Sequence, residues 1–340
     1  MTPPQRRLLT LLVALAGLGA ALLLGAPLPF LFGPLLGCLL AALLGAPLLA
    51  FGPATPLARA TLGVAVGASV TPALLARLPD MALSLLLVPV AVLLIGLAGY
   101  PFFRRLCGLD RATALFAAMP GGAQDMVLFG QEAGGDARAL SLIHATRIAV
   151  IVTAAPLLLS LLHGAALGRP PGEPLAAIPP AQLVLMAGAA LLGWRGGERL
   201  GLFGASMIGP LLIALPLSLG GLLDHRPPAE ALQAAQLVLG TAIAAHYVGL
   251  TWTELRRTVA MSALFMLILA ALAGATAEAV VLLGLAPPLD AFLAFAPGGQ
   301  AETAVLALAA GADLGYVVLH HLARLLLVIL GAPLALRLLR

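Results

Sequence analysis

Apolar residues fall into twelve blocks, at roughly 8–25, 32–51, 58–76, 81–103, 112–131 and 138–162, then 180–194, 200–221, 231–250, 258–285, 289–310 and 314–336. Within each block they run continuously. That pattern predicts buried or membrane-spanning helices, and it excludes a transmembrane β-barrel, whose strands alternate. Most blocks approach the ~20 residues that cross a hydrocarbon core of about 30 Å. The first block follows Arg6-Arg7 and has the outline of a signal peptide. With eleven more blocks behind it, it reads as an uncleaved first span. Helix breakers gather in Gly168-Arg169-Pro170-Pro171-Gly172-Glu173-Pro174. The chain therefore divides into a first membrane repeat (1–165), a linker (166–179) and a second membrane repeat (180–340).

The two halves are copies. Pro120-Gly121-Gly122 is followed by Asp125, Gly134, Asp136, His144 and Arg147, and Pro297-Gly298-Gly299 by Glu302, Gly311, Asp313, His321 and Arg324. Every pair is separated by 177 positions, with no insertion. Leu62-Gly63 matches Leu239-Gly240 at the same offset, and Gly33-Pro34-Leu35-Leu36 matches Gly209-Pro210-Leu211-Leu212 at 176. A shared period of this kind marks an internal repeat.

Arginine placement orients the repeats. Setting aside Arg147 and Arg324 inside apolar blocks, 16 arginines remain. If all twelve blocks cross from a cytoplasmic N-terminus, 10 lie inside and 6 outside. If the two Pro-Gly-Gly blocks enter and return on one side, only Arg77, Arg169 and Arg226 lie outside, a split of 13 to 3. The positive-inside rule prefers the second arrangement. It has five crossings per repeat, an odd number, so the second repeat is inverted. Pro-Gly-Gly cannot continue a regular helix. The roughly eight apolar residues before Pro120 would reach only about 12 Å. Two half-helices meeting at the midplane as one broken span remain the other option.

Composition narrows the class. Apolar residues make up 61% of the chain and charged residues 9%, with mean hydropathy +1.09. A soluble domain is nearer 45–50% and 25%, so a water-soluble enzyme or a DNA-binding regulator is excluded as the bulk of the chain. All 18 basic residues are arginine, which together with the Ala, Gly, Leu and Pro content suggests GC-rich bacterial coding. The net charge of +4 requires no nucleic-acid partner. Cys38 and Cys107 read as small apolar filler.

The candidate chemistry lies at the breaks. Irregular backbone at membrane depth survives only where protein or a water-filled cavity satisfies it, and half-helix ends present unpaired amides and partial charges. Inverted-repeat transporters bind solute and coupling ion at such breaks. Asp125 and Glu302 are placed to bind a proton or cation, and Gln124 and Gln300 offer amides to a solute. The bland alternative is a surface turn with a solvated carboxylate, which the apolar flanks oppose. His144 and Arg147 share a helix face, as do His321 and Arg324. An arginine within a span costs roughly 2.5–3.5 kcal/mol and usually faces the bundle interior. Each Arg either binds an anionic solute, with its His titrating, or forms a structural ion pair with Asp125 or Glu302. Asp136 and Asp313 read as helix N-caps, and Gly63, Gly67 and Ser69 as close helix packing. There is no nucleotide loop, no metal-ligand cluster and no paired Cys, so neither enzyme, cofactor nor metal is expected. Adjacent His320 and His321 diverge by about 100° and make a poor metal pair.

At the repeated Pro-Gly-Gly carboxylate and His-x-x-Arg motifs the sequence resembles the bacterial AbrB membrane family, over nearly the whole chain. Its members are often labelled regulators or ammonia monooxygenases, labels that the residues here do not support. The small DNA-binding protein of the same name is a different, soluble fold. The resemblance implies kinship with the cation:proton antiporter and anion transporter superfamily, and so inverted repeats, a mobile core and broken or re-entrant helices. It supplies architecture and names no solute.

The expectation is an all-α integral membrane protein of two inverted repeats. Each has about five spans plus one Pro-Gly-Gly re-entrant hairpin or broken helix, giving 10–12 segments. The expected function is secondary transport of a small anionic or polar solute coupled to a proton or monovalent cation. The expected site comprises Gly121, Gly122, Gln124, Asp125, His144 and Arg147 in the first repeat. Gly298, Gly299, Gln300, Glu302, His321 and Arg324 complete it in the second. The partners are the solute, the ion and the lipid bilayer, with a homodimer allowed and no nucleic acid. The place is the bacterial inner membrane, with both termini cytoplasmic. The alternative is a ligand-binding membrane sensor that affects gene expression through a partner, and a membrane enzyme is the remotest reading.

Overall fold

A computed structural model describes residues 1–26, 28–70, 72, 76–163, 172–202 and 204–338. The side chains of Gln124, Leu162, His163, Ala301 and Pro333 also lie outside the description, as does 164–171, which holds the first six residues of the expected linker 166–179. The described residues are helical, without strands. The first repeat forms α1 (Pro3–Leu23), α2 (Pro29–Leu43), α3 (Ala54–Gly67) and α4 (Leu78–Leu106). Then follow α5 (Arg111–Ala118), α6 (Ala123–Glu132) and α7 (Ala137–His163). The second repeat forms α8 (Pro180–Arg199), α9 (Ala205–Leu219), α10 (Ala229–Ala245) and α11 (Trp252–Leu282). It closes with α12 (Pro288–Phe295), α13 (Gln300–Ala310) and α14 (Leu314–Leu338). Each helix of the first repeat thus has its counterpart seven elements later.

The chain is a helical protein of the multi-pass membrane type. Among the described residues α1, α4, α7, α11 and α14 are long and apolar enough to cross a bilayer. The apolar α2 and α9, at 15 residues each, are shorter, spanning about 22 Å at 1.5 Å per residue. The ends follow local rules. Thr2 and Gln5 form a capping box before α1. Asp110 accepts from Thr113 N at 2.9 Å to cap α5. Gly134 and Gly311, at φ +85° and +72°, end α6 and α13 in the left-handed conformation that only glycine adopts cheaply.

Packing divides the chain into two compact units that each draw on both repeats. One comprises Met1–Leu78, Ala155–Gly249 and Ala304–Gly315; the other comprises Pro79–Ala154, Leu250–Thr303 and Tyr316–Arg340.

The first unit is built on glycine contacts. Gly17 lies against Gly33 and Gly37, and Gly37 against Val13, so α1 and α2 run antiparallel. Arg6 donates to the carbonyls of Pro47 and Leu48, beyond the end of α2, at 2.8 and 3.0 Å. Gly193 lies on Gly209, and Gly197 on Ala205, so α8 and α9 repeat that antiparallel crossing. The third helix of each repeat crosses over. Gly240 of α10 meets the Leu31 backbone of α2, while α3 packs on α9. There Gly63 meets Met207 and Pro210, and Gly67 meets Leu211 and Ala214. The register advances in the same sense along both helices, so α3 and α9 run parallel. Ser218, at the end of α9, lies 3.3 Å from the Ala68 and Val70 carbonyls at the end of α3. Ala60, Val64, Met186, Trp194 and Ala214 join α3, α8 and α9 in one apolar core.

The second unit holds both Pro-Gly-Gly breaks. Phe102 and Phe103 of α4 pack around Phe265 of α11, with ring centroids 5.3 and 4.8 Å away. The first break is a helical hairpin. Asp136 N donates to Thr113 Oγ1 at 2.7 Å, and Thr113 Oγ1 in turn to Asp110 Oδ2 at 2.5 Å. Along one straight helix, residues 113 and 136 would stand about 35 Å apart. The end of α6 therefore returns to the start of α5, with the break at its tip.

Candidate functional site

The site is built from two broken helices and the long helix that follows each. A helix ends with carbonyls that lack intrahelical donors. The break after α5 exposes such carbonyls in an apolar setting, and α7 supplies the donors. His144 Nε2 lies 3.1 Å from Phe116 O. Arg147 donates from Nη1 to Met119 O at 2.9 Å and from Nη2 to Gly121 O at 2.8 Å. The second repeat does the same with α14. His321 Nε2 lies 2.9 Å from Leu293 O, and Arg324 donates to Ala296 O at 2.7 Å and to Gly298 O at 3.0 Å. The spacing of His to Arg therefore follows from the bond pattern. One helical turn separates the two side chains, as it separates the carbonyls they reach.

The carboxylates serve the other half of each break. Asp125 and Glu302 are the third residues of α6 and α13. Each folds back over the glycine that precedes its helix, so that a Cβ on Gly122 or Gly299 would collide with the carboxylate. This is the position from which an acidic side chain meets the unpaired amides and the positive end of a helix. Each break thus carries cationic or donor groups at the carbonyl end and an acid at the amide end. Glu302 is buried and Asp125 half-buried.

The two tips are interlocked within this unit. A Cβ at Gly121 would strike Val328 of α14, and one at Gly122 would approach Leu325, next to Arg324. A Cβ at Gly298 would meet Ile151 of α7, one turn beyond Arg147. Each tip is thus held by the long helix of its own repeat and touches the long helix of the other. His144, Arg147, His321 and Arg324 are all buried.

Of the expected site residues, the glycines, carboxylates, histidines and arginines gather at these tips. Gln300 Nε2 is buried and meets no acceptor among the described residues, as are His144 Nδ1 and Arg147 Nε. The Gln124 side chain lies outside the described residues. Asp136 caps α7, accepting from the amides of Arg138 and Ala139 at 2.9 and 3.0 Å. Asp313 pairs with Arg77 at 3.1 Å. No group of three His, Cys, Asp or Glu among the described residues is placed to hold a metal.

Two participants escaped sequence reasoning. Thr113, which closes the first hairpin, is one of many threonines and carries no motif. His320 reaches across to α4, where its Nε2 lies 3.0 Å from Ser84 Oγ. Its signal was available, because the position 177 earlier is Ile143 and the repeat is broken there.

A family model described as "Transition state regulatory protein AbrB" matches residues 30–340, and the chain belongs to that family. No curated protein matches it.

Proposed function

We propose that this member of the AbrB family is a secondary transporter, with the two interlocked tips as its solute and ion site. The observation that carries the reading is the convergence of two broken helices with their buried Arg and His side chains and their carboxylates. Helix breaks with exposed dipole ends are the sites at which inverted-repeat transporters hold solute and ion. Buried ionisable groups inside membrane helices are expensive and mark such pathways.

Helix directions support inverted repeats. If α2 and α3 are consecutive crossings, they run in opposite senses. Since α3 runs parallel to α9, α9 opposes α2, its own repeat counterpart. With the repeats inverted, the hairpins are re-entrant from opposite faces and their tips meet at mid-depth. Both termini then face the cytoplasm, and the chain lies in the inner membrane of a bacterium. The unit bearing the tips is the moving part, in keeping with the resemblance to cation:proton antiporters and anion transporters. The solute is small and polar or anionic, and the coupling ion is a proton or a monovalent cation held by Asp125 and Glu302.

The test is uptake into proteoliposomes from a panel of carboxylates, amino acids and amines, chosen by thermal-shift screening of the purified protein. Ligands that bind the folded state raise its melting temperature by mass action. Asp125→Asn with Glu302→Gln should abolish flux while the protein still folds, and wild-type flux in that variant refutes the assignment. The family's description as a regulator favours a second reading, a sensor that binds at the same tips. Ligand binding without net flux would establish it.

A further inference from the structure

We propose that His320 and Ser84 form a reversible proton-binding site outside the two hairpin tips. The inference adds a proton-binding residue to the carboxylates of the tips, and rests on the transport reading only for what that proton drives.

Three histidines in this unit are buried: His144, His320 and His321. Their bonding separates them. A backbone carbonyl only accepts, so a ring nitrogen bonded to one must carry hydrogen. His144 and His321 each direct Nε2–H at a carbonyl. The remaining nitrogen of His321 accepts from Arg324 Nη2 at 3.0 Å. A second proton there would oppose donor to donor and set a second positive charge against the first. His144 holds the equivalent position beside Arg147. His144 Nδ1 meets no bonding partner among the described residues, so a second proton there would lack an acceptor and would set a second positive charge beside Arg147.

His320 is turned the other way. Nδ1 lies 2.8 Å from Tyr316 O and therefore carries its hydrogen there. Nε2 faces Ser84 Oγ at 3.0 Å, and Ser84 Oγ lies 2.9 Å from Met81 O. A hydroxyl both donates and accepts, so it serves either state of the ring. With His320 neutral, Ser84 donates to Nε2. With His320 protonated, Nε2–H donates to Ser84 Oγ, and the hydroxyl hydrogen turns to the Met81 carbonyl. The ring gains one proton, the serine keeps its own, and every polar atom is partnered in both states.

A single added charge on the ring would sit among the following groups. On α14 the titratable or charged neighbours are Tyr316, whose ring centroid is 4.1 Å away, then His321 and Arg324. On α4 they are Ser84 and, one turn earlier, the exposed Asp80. Helix α12 presents the Phe295 ring at 5.5 Å. The Arg324 guanidinium is engaged with the Ala296 and Gly298 carbonyls. The site exists in one repeat only, since the positions matching His320 and Ser84 at an offset of 177 are Ile143 and Met261. A proton taken up there acts on one half of a duplicated core.

Nitrogen-15 histidine spectra in lipid nanodiscs test the proposal, with the His320 signals assigned by their loss in His320→Gln. From about pH 8 to about pH 4, His320 should pass reversibly from the Nδ1–H neutral form to the imidazolium. His144 and His321 should keep the neutral Nε2–H form throughout. Ser84→Ala removes the acceptor for the added proton. It should lower proton affinity about tenfold, a shift of about one pH unit. A His320 ring that stays neutral, that carries its neutral hydrogen on Nε2, or that titrates unchanged in Ser84→Ala overturns the proposal. If the ring titrates as expected but liposomes show no solute flux, the transport reading fails and the proton site stands.

Discussion

Replacing Arg147 with methionine separates two roles that the sequence leaves open, a binder of solute anions and a clamp on the break. Methionine keeps much of the length and fills the space, but it offers no donor. The Met119 and Gly121 carbonyls, both buried, would lose bonds of 2.9 and 2.8 Å. A buried acceptor left without its donor costs about 1–3 kcal/mol, which sets an upper range of about 2–6 kcal/mol for two. Hydrogen bonds between membrane helices average only about 0.6 kcal/mol in double-mutant cycles, which sets a lower figure of about 1.2 kcal/mol. Removing a buried cation recovers part of its desolvation cost, so a net loss near 2 kcal/mol is expected. For chains of 150–250 residues that corresponds to about 4–8 °C in melting temperature, and to the low end of that range in a chain of 340 residues. The assay is thermal unfolding of purified protein without added solute. Arg147→Lys should fall between, because an ammonium keeps the charge but lacks the planar fork that reaches both carbonyls. A methionine variant that melts with the wild type, or above it, refutes the clamp. The guanidinium would then be retained for a ligand.

Three further outcomes follow from the packing. Gly193→Ala puts a methyl group into the Gly209–Pro210 backbone and should cost about 1–3 kcal/mol by overpacking, whereas Gly188→Ala, which meets nothing within 4 Å, should be neutral in the same melting assay. Thr113→Val leaves Asp136 N without its acceptor; a loss of about 1–3 kcal/mol and faster proteolysis between 132 and 137 are expected, and unchanged digestion counts against the hairpin lock. With the buried Cys38 and Cys107 replaced by alanine, Asp224→Cys should react with an impermeant reagent added to the periplasmic side of intact cells, and labelling only after lysis rejects the inverted topology.

The sequence by itself determined the helical class, the membrane character, the duplication and the identity of the residues at the breaks. These properties are local or periodic. Continuous apolar blocks, two helix-breaking triplets and a fixed offset of 177 can be read without knowing what touches what. The roles of those residues could not be read this way. The sequence left Arg147 between an anion and an ion pair, and the fold directs it to the Met119 and Gly121 carbonyls, because those acceptors exist only once the helix has broken. Asp125 and Glu302 are legible as acids, but their fold-back onto Gly122 and Gly299 depends on where α6 and α13 begin. The exchange of third helices between repeats rests on glycine faces 144 or more positions apart, such as Gly63 on Met207, and no periodicity within one segment encodes a partner. His320 shows the same limit in one side chain. Its departure from the repeat is visible in the sequence, but that Ser84 lies opposite is decided only when α4 and α14 pack together.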